Sequence, residues 1–132
     1  MISDSGSRSA ILVVEDVEET RFGIKRLLTA SGYQVWTASD EEEAVLKASL
    51  RGPDLILISL GLTPTGVVAI ARRIRERAAL GEKVPVVVFC AQSLDEGAEV
   101  SAGYNVYLTR PDNFDQLRGL LKRLLRRRVL DC

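Results

Sequence analysis

Pro53-Asp54-Leu55-Ile56-Leu57-Ile58-Ser59-Leu60-Gly61 is the stretch that decides how this chain folds. Its run LILI, residues 55–58, is short and continuously apolar, closed off by Gly52-Pro53 before it and by Gly61-Leu62-Thr63-Pro64 after it. A strand buried on both faces reads this way. Segments of helical character flank it, so it is expected to be the central strand of a parallel sheet, with Ser59 at its C-terminal end. Open α/β sheets hold their ligands just beyond those ends. The chemistry of the chain is therefore sought around Ser59, where the side chain is a neutral hydroxyl.

Working outward toward the N-terminus, residues 40–50 read as a helix stopped by Gly52-Pro53. Asp40 can cap it, Glu43 can close a capping box, and the acids Glu41-Glu42-Glu43 suit its N-terminal dipole. Residues 33–38 (YQVWTA) alternate as an edge strand does. Residues 18–31 form a helix with Phe22, Ile24, Leu27 and Leu28 as the apolar stripe, and Gly32 stops it. Residues 10–14 (AILVV) are a first buried strand ending on Glu15-Asp16. Residues 1–9 lack periodicity and are expected to be a flexible tail ahead of a single domain, 10–130.

Toward the C-terminus, residues 66–80 form a helix with Val67, Ile70, Ala71 and Ile74 inward. Arg72, Arg73, Arg75 and Arg77 are read as its outward face. Residues 84–90 (VPVVVFC) are a buried strand, with Ala91-Gln92-Ser93 at its mouth. A short helix is expected over 94–102, stopped at Gly103, and a fifth strand over 105–109 (NVYLT) before Arg110-Pro111. Asp112 or Asn113 caps the last helix, where Phe114, Leu117, Leu120, Leu121, Leu124 and Leu125 recur at helical spacing. Five strands alternating with five helices make right-handed βαβ units and a three-layer sandwich. In a flavodoxin-like strand order, 2-1-3-4-5, the ends of strands 1, 3, 4 and 5 share one rim.

Composition narrows the classes. At 132 residues the chain is long enough for one real core. Eighteen basic and eighteen acidic residues cancel, so no global field points to nucleic acid or membrane. No apolar run approaches the roughly 20 residues of a membrane span. Cys90 and Cys132 are far apart and without ligand spacing, which implies neither a disulfide framework nor zinc. A reducing cytosol is the expected compartment. Histidine is absent, which removes His-based catalysis.

The rim therefore carries Glu15, Asp16, Ser59, Cys90 and Arg110. Two adjacent carboxylates can hold a hard cation such as Mg²⁺, or can simply open a loop and feed the next helix dipole. Ser59 is a small polar strand end or, less simply, an acceptor. Cys90 is a buried, inert thiol unless a cation such as Arg110 lowers its pKa. The basic run Lys122-Arg123 and Arg126-Arg127-Arg128 is a solvated helix face, or a surface for a protein or, weakly, nucleic acid. Without interleaved aromatics it does not suit single-stranded nucleic acid.

Four segments, VVEDVEETR (13–21), PDLILISLGLTPTG (53–66), VPVVVFCA (84–91) and AGYNVYLTRP (102–111), lie in register across the fold. With them the chain resembles the receiver domain of bacterial two-component response regulators over about residues 10–128. The resemblance implies a carboxylate phosphoacceptor after strand 3, an acidic pair for Mg²⁺, a Thr or Ser after strand 4 and a Lys after strand 5. On this chain the acidic pair is present as Glu15 and Asp16. The acceptor position is Ser59, the hydroxyl position Cys90 and the lysine position Arg110. The loop after Ser59 is one residue short, with Pro64 displaced by one.

Those substitutions change the chemistry. A serine hydroxyl is a weak nucleophile that needs a base, whereas a carboxylate is already ionised. Losing the carboxylate also removes an anionic Mg²⁺ ligand, leaving at most a weak site at Glu15 and Asp16. Cys90 is a poor hydrogen-bond donor, and Arg110 is not a point-charge substitute for lysine. Arg110 is expected to pair with Glu15 or Asp16 instead. Tyr107 occupies the position of an aromatic that the family rotates on activation; otherwise it is a half-buried packing residue. The expectation is a degenerate receiver, not an enzyme and without a cofactor, that works as a phosphorylation-independent protein-interaction module. Its partner, or a second copy, would use the face of the fourth helix, fifth strand and fifth helix. The alternatives are a regulator phosphorylated on a non-Asp group such as Ser59, and a DNA-associated regulator using the basic C-terminal helix.

Overall fold

The computed structural model describes residues 8–60, 64–90 and 94–130, with the side chains of 64, 65 and 127–130 excepted. Residues 1–7 of the expected tail, the loop residues 61–63, the strand-mouth residues 91–93 and Cys132 lie outside the described residues. Strand β3 (Leu55–Ser59) is central. It pairs in parallel with β1 (Ala10–Glu15) on one side and β4 (Val86–Phe89) on the other. β2 (Gln34–Ala38) closes one edge beside β1, and β6 (Val106–Thr109) lies beside β4. The parallel part of the sheet thus has the expected flavodoxin-like order.

Helices α1 (Glu18–Ala30) and α4 (Phe114–Leu130) cover one face of the sheet; α2 (Glu41–Arg51) and α3 (Pro64–Arg77) cover the other. Strand alternation feeds both layers. Leu12, Val14, Ile56 and Ile58 join the α2–α3 core, while Ile11, Val13, Leu55 and Leu57 join the α1–α4 core. Leu55, Ile56, Leu57 and Ile58 have no exposed surface. Burial of each such side chain contributes about 1.5–3 kcal/mol, so this run anchors both layers at once.

Three expectations are corrected. The helix expected over 94–102 does not form. Residues 95–98 turn, with Ala98 N–H donating to the Asp95 carbonyl (3.0 Å) and Gly97 at φ +86°. β5 (Glu99–Ser101) then runs antiparallel to β6 at the edge of the sheet. The described residues therefore hold six strands and four helices, in the order β2-β1-β3-β4-β6-β5. A nine-residue segment interrupted by Gly97 has too little length to offset helix nucleation, and the Glu-Val-Ser strand finds a ladder partner in β6.

The second correction is Arg75, which is buried rather than outward, at 2% exposure. Its guanidinium donates to the carbonyls of Val84 (2.9 Å) and Asn105 (3.5 Å), and also to that of Tyr104. Tyr104 and Asn105 both have positive φ, so Arg75 ties α3 to the left-handed turn that leads into β6. Arg72 stacks over the Tyr104 ring at 3.7 Å from its centroid and reinforces the same contact. Thirdly, Phe22 and Leu27 are half-exposed on α1, and Leu28 alone among its residues is buried.

The α2 N-terminus forms the expected reciprocal cap. Asp40 accepts from the Glu43 N–H (2.8 Å), while the Glu43 carboxylate accepts from the Ser39 N–H (2.7 Å) and hydroxyl (2.9 Å). Gly52 ends the helix at φ +63°, donating to the Ala48 carbonyl at 2.9 Å. The remaining acids of the first turn reach α3: Glu41 receives a fork from Arg73 and Glu42 one from Arg77.

The Ser39 N–H and hydroxyl hold the Glu43 carboxyl below its ordinary pKa of 4.5, with Lys47 adding to the effect. A carboxyl depressed in the folded state stabilises above its unfolded pKa, and that contribution is lost as pH falls through the folded value. Glu43→Gln is therefore expected to lower the melting temperature at pH 7 by an amount typical of a surface cap, about 0.5 kcal/mol or roughly 2 °C. Thermal melts of both chains from pH 7 to pH 3 should show that gap closing below about pH 4.5.

Candidate functional site at the strand mouths

Glu15 and Ser59 are register partners on adjacent strands, at the ends of β1 and β3. By strand alternation both continue the rows that face α1 and α4. Glu15 is 3% exposed, and its Oε2 accepts from the Val17 N–H at 2.9 Å. The main chain there is held as well: Arg21 Nη1 donates to the Glu15 carbonyl at 2.9 Å. Thus one carboxylate of the acidic pair is already spent on closing the turn into α1. Asp16 is exposed beside it.

Cys90 lies elsewhere. Its N–H donates to the Thr109 carbonyl (2.9 Å), and its side chain packs in the α2–α3 core with Val86, Val88 and Leu108. Burial pushes its thiol pKa above the ordinary 9.0. That is the direction of an inert thiol, since nucleophilic cysteines sit in electropositive, part-exposed surroundings that lower the value.

Arg110 is exposed and does not reach the acidic pair, which corrects the pairing expected from the sequence. Its Nη1 donates to the Leu94 carbonyl at 3.1 Å, and its main chain bonds Gly97 and Ala98. The turn that replaces the missing helix thus claims the guanidinium. Tyr107 is half-buried on the α4 side, with its hydroxyl donating to Asn105 Oδ1 at 2.8 Å. Of the five rim positions, the strand register sets Glu15, with Asp16 next to it in sequence, beside Ser59; Cys90 turns its side chain into the opposite core layer, and Arg110 is held by the 94–98 turn.

Among the described residues, no three Asp, Glu, His or Cys side chains gather into a cation site. With Glu15 Oε2 already accepting from a backbone N–H and Ser59 neutral, Asp16 and the rest of the Glu15 carboxylate would offer at most a weak hold on Mg²⁺, an ion that takes oxygen ligands and keeps several waters. Sequence reasoning missed Arg21 and Arg75. Arg75 carried a signal, since it stands four residues after Ala71 and three before Ala78, on the buried stripe of α3. Arg21 carried none beyond its position one turn into α1.

Among the described residues no helix is long and apolar enough to cross a membrane. The family model for the response regulator receiver domain matches residues 11–122. The KDP operon transcriptional regulatory protein KdpE of Escherichia coli K12 is 34% identical over 119 residues, 89% of this chain and 51% of that protein. The transcriptional regulatory protein PrrA of Mycobacterium tuberculosis H37Rv is 34% identical over 128 residues, 95% of this chain and 54% of that one. The chain spans about half the length of these curated relatives. The receiver domain of the sensor histidine kinase PA1611 from Pseudomonas aeruginosa PAO1, solved with a magnesium ion coordinated in its active-site cleft, superposes with a TM-score of 0.68. It is 27% identical, with 90% of this chain and 98% of that one covered. On the family match, the relatives and the shared fold, the chain belongs to the response regulator receiver domain family.

Proposed function

We propose that this receiver acts in two-component signalling as a phosphorylation-independent protein-interaction module. The observation that supports it best is the pair Glu15 and Ser59: the strand-mouth carboxylate caps a backbone N–H, and its register partner is a neutral hydroxyl. Transfer to Ser59 would need a base to take the hydroxyl proton. Glu15 is committed to Val17, which leaves Asp16. Cys90 is buried in the other core layer and Arg110 is held by the 94–98 turn, so neither stands ready to report a phosphoryl group.

The interaction surface is the one built around Tyr107 and α4, with β5 standing where the family's fourth helix was expected. The test is a titration of isotope-labelled protein with Mg²⁺ and beryllofluoride, a mimic of a phosphoryl group on a carboxylate. Amide resonances of Glu15, Asp16, Ser59 and Cys90 are expected to stay in place. Saturable shifts at these residues, propagating to Tyr107, would argue for a working switch.

A further inference from the structure

β5 is the terminal strand of the sheet, and the orientation of its backbone can be read from its neighbours. Cys90 N–H donates to Thr109 and Val86 N–H to Asn105, so the odd-numbered residues of β6 bond β4. Ala102 N–H donates to Val106 and Arg110 N–H to Ala98, so the even-numbered ones face β5. With Val100 opposite Leu108, Val100 bonds inward, and Glu99 and Ser101 turn their N–H and C=O groups to the open edge. Such an edge is a template for another strand.

The edge is complementary to itself. A second β5 laid antiparallel, about a two-fold axis at Val100, sets Glu99 of each copy opposite Ser101 of the other, so that both pairs exchange backbone bonds. The two Val100 side chains, 43% exposed in the single chain, then face each other as a close non-bonded pair. Charge fits as well. Glu99 is already balanced by Arg123 at 2.8 Å, so the edge does not repel its copy. Beyond Ser101 the groove between β5 and α4 is lined by Tyr107, Leu124 and Arg126, and the incoming Glu99 stands over it.

We propose that this chain self-associates by pairing β5 edges across a two-fold axis at Val100, with Glu99 of each copy set against Arg126 of the other. A second copy is thereby the partner of the module, and the pairing rests on the functional reading above only in needing no phosphoryl group. The contact rests on one three-residue strand and the groove beside it, so association is expected to be weak.

Sedimentation velocity from about 1 to 500 µM, which spans dissociation constants of weak complexes, should show monomer passing to dimer. Hydrogen exchange should show protection of the Glu99 and Ser101 amides rising with concentration while that of Val100 stays constant. Ser101→Pro removes an outward N–H without touching an inward bond, and Val100→Lys places a charge at the axis. Each is expected to weaken dimerisation at least tenfold. A chain that stays monomeric throughout overturns the proposal. So does a dimer indifferent to both variants, or one whose protection falls elsewhere than Glu99 and Ser101. A phosphoryl adduct formed from acetyl phosphate would instead count against the functional reading and leave the edge pairing intact.

Discussion

Replacing Arg75 with alanine is expected to destabilise the domain by about 3–5 kcal/mol, a large share of the 5–15 kcal/mol typical of a whole domain. The reason is local. Arg75 is almost wholly buried, and its guanidinium serves the carbonyls of Val84, Tyr104 and Asn105. Burial pulls its pKa below that of an ordinary guanidinium, with Glu82 opposing and Arg72 adding to the shift. Alanine would leave those acceptors without their donor and open a cavity behind α3. Arg75→Lys keeps the charge but loses the planar fork, and about half of the loss is expected. Urea unfolding followed by circular dichroism gives the magnitude, and hydrogen exchange locates it. Amides of residues 102–106 should lose protection first, because Arg75 and Arg72 fasten that turn to α3. A cost below about 1 kcal/mol would mean that the arginine is tolerated there rather than required.

Ser59→Asp is expected to give the chain a dependence on magnesium that the natural sequence is expected not to show. The new carboxylate would stand in register beside Glu15 and next to Asp16. Like charges on directly opposed strand positions cost up to about 1 kcal/mol. Without divalent cation the variant should therefore melt about 4 °C lower than the natural chain. Three carboxylates make the oxygen-rich, anionic set that Mg²⁺ requires, so affinity should rise at least tenfold. At a hundredfold excess over the dissociation constant, binding adds about 2.7 kcal/mol and carries the melting temperature past that of the natural chain. The natural chain should melt at the same temperature with or without the ion. Melts of both proteins across a magnesium series make the comparison.

The parallel core was legible because buried strands announce themselves. Residues 55–58, 10–14 and 86–89 are continuous apolar runs, and nothing in them competes with burial on both faces. The α2 cap was equally readable, since Asp40 and Glu43 act within a few residues of each other. What escaped depended on distant partners. Residues 99–101 become a strand only because β6 offers an open edge. Arg75 goes inward only because three carbonyls from other segments wait for it. At the site, strand ends placed Glu15, Asp16 and Ser59 together, but Arg110 could not be placed from sequence. Its orientation is set by the 94–98 turn, whose own fold was misread.

The measurement that bears most directly on a receiver working without phosphorylation is the intact mass of the chain after incubation with Mg²⁺ and acetyl phosphate, with Ser59→Asp run alongside. An unchanged mass is expected for the natural chain if it works without a phosphoryl group. A stoichiometric phosphoryl adduct on the natural chain would contradict a phosphorylation-independent module.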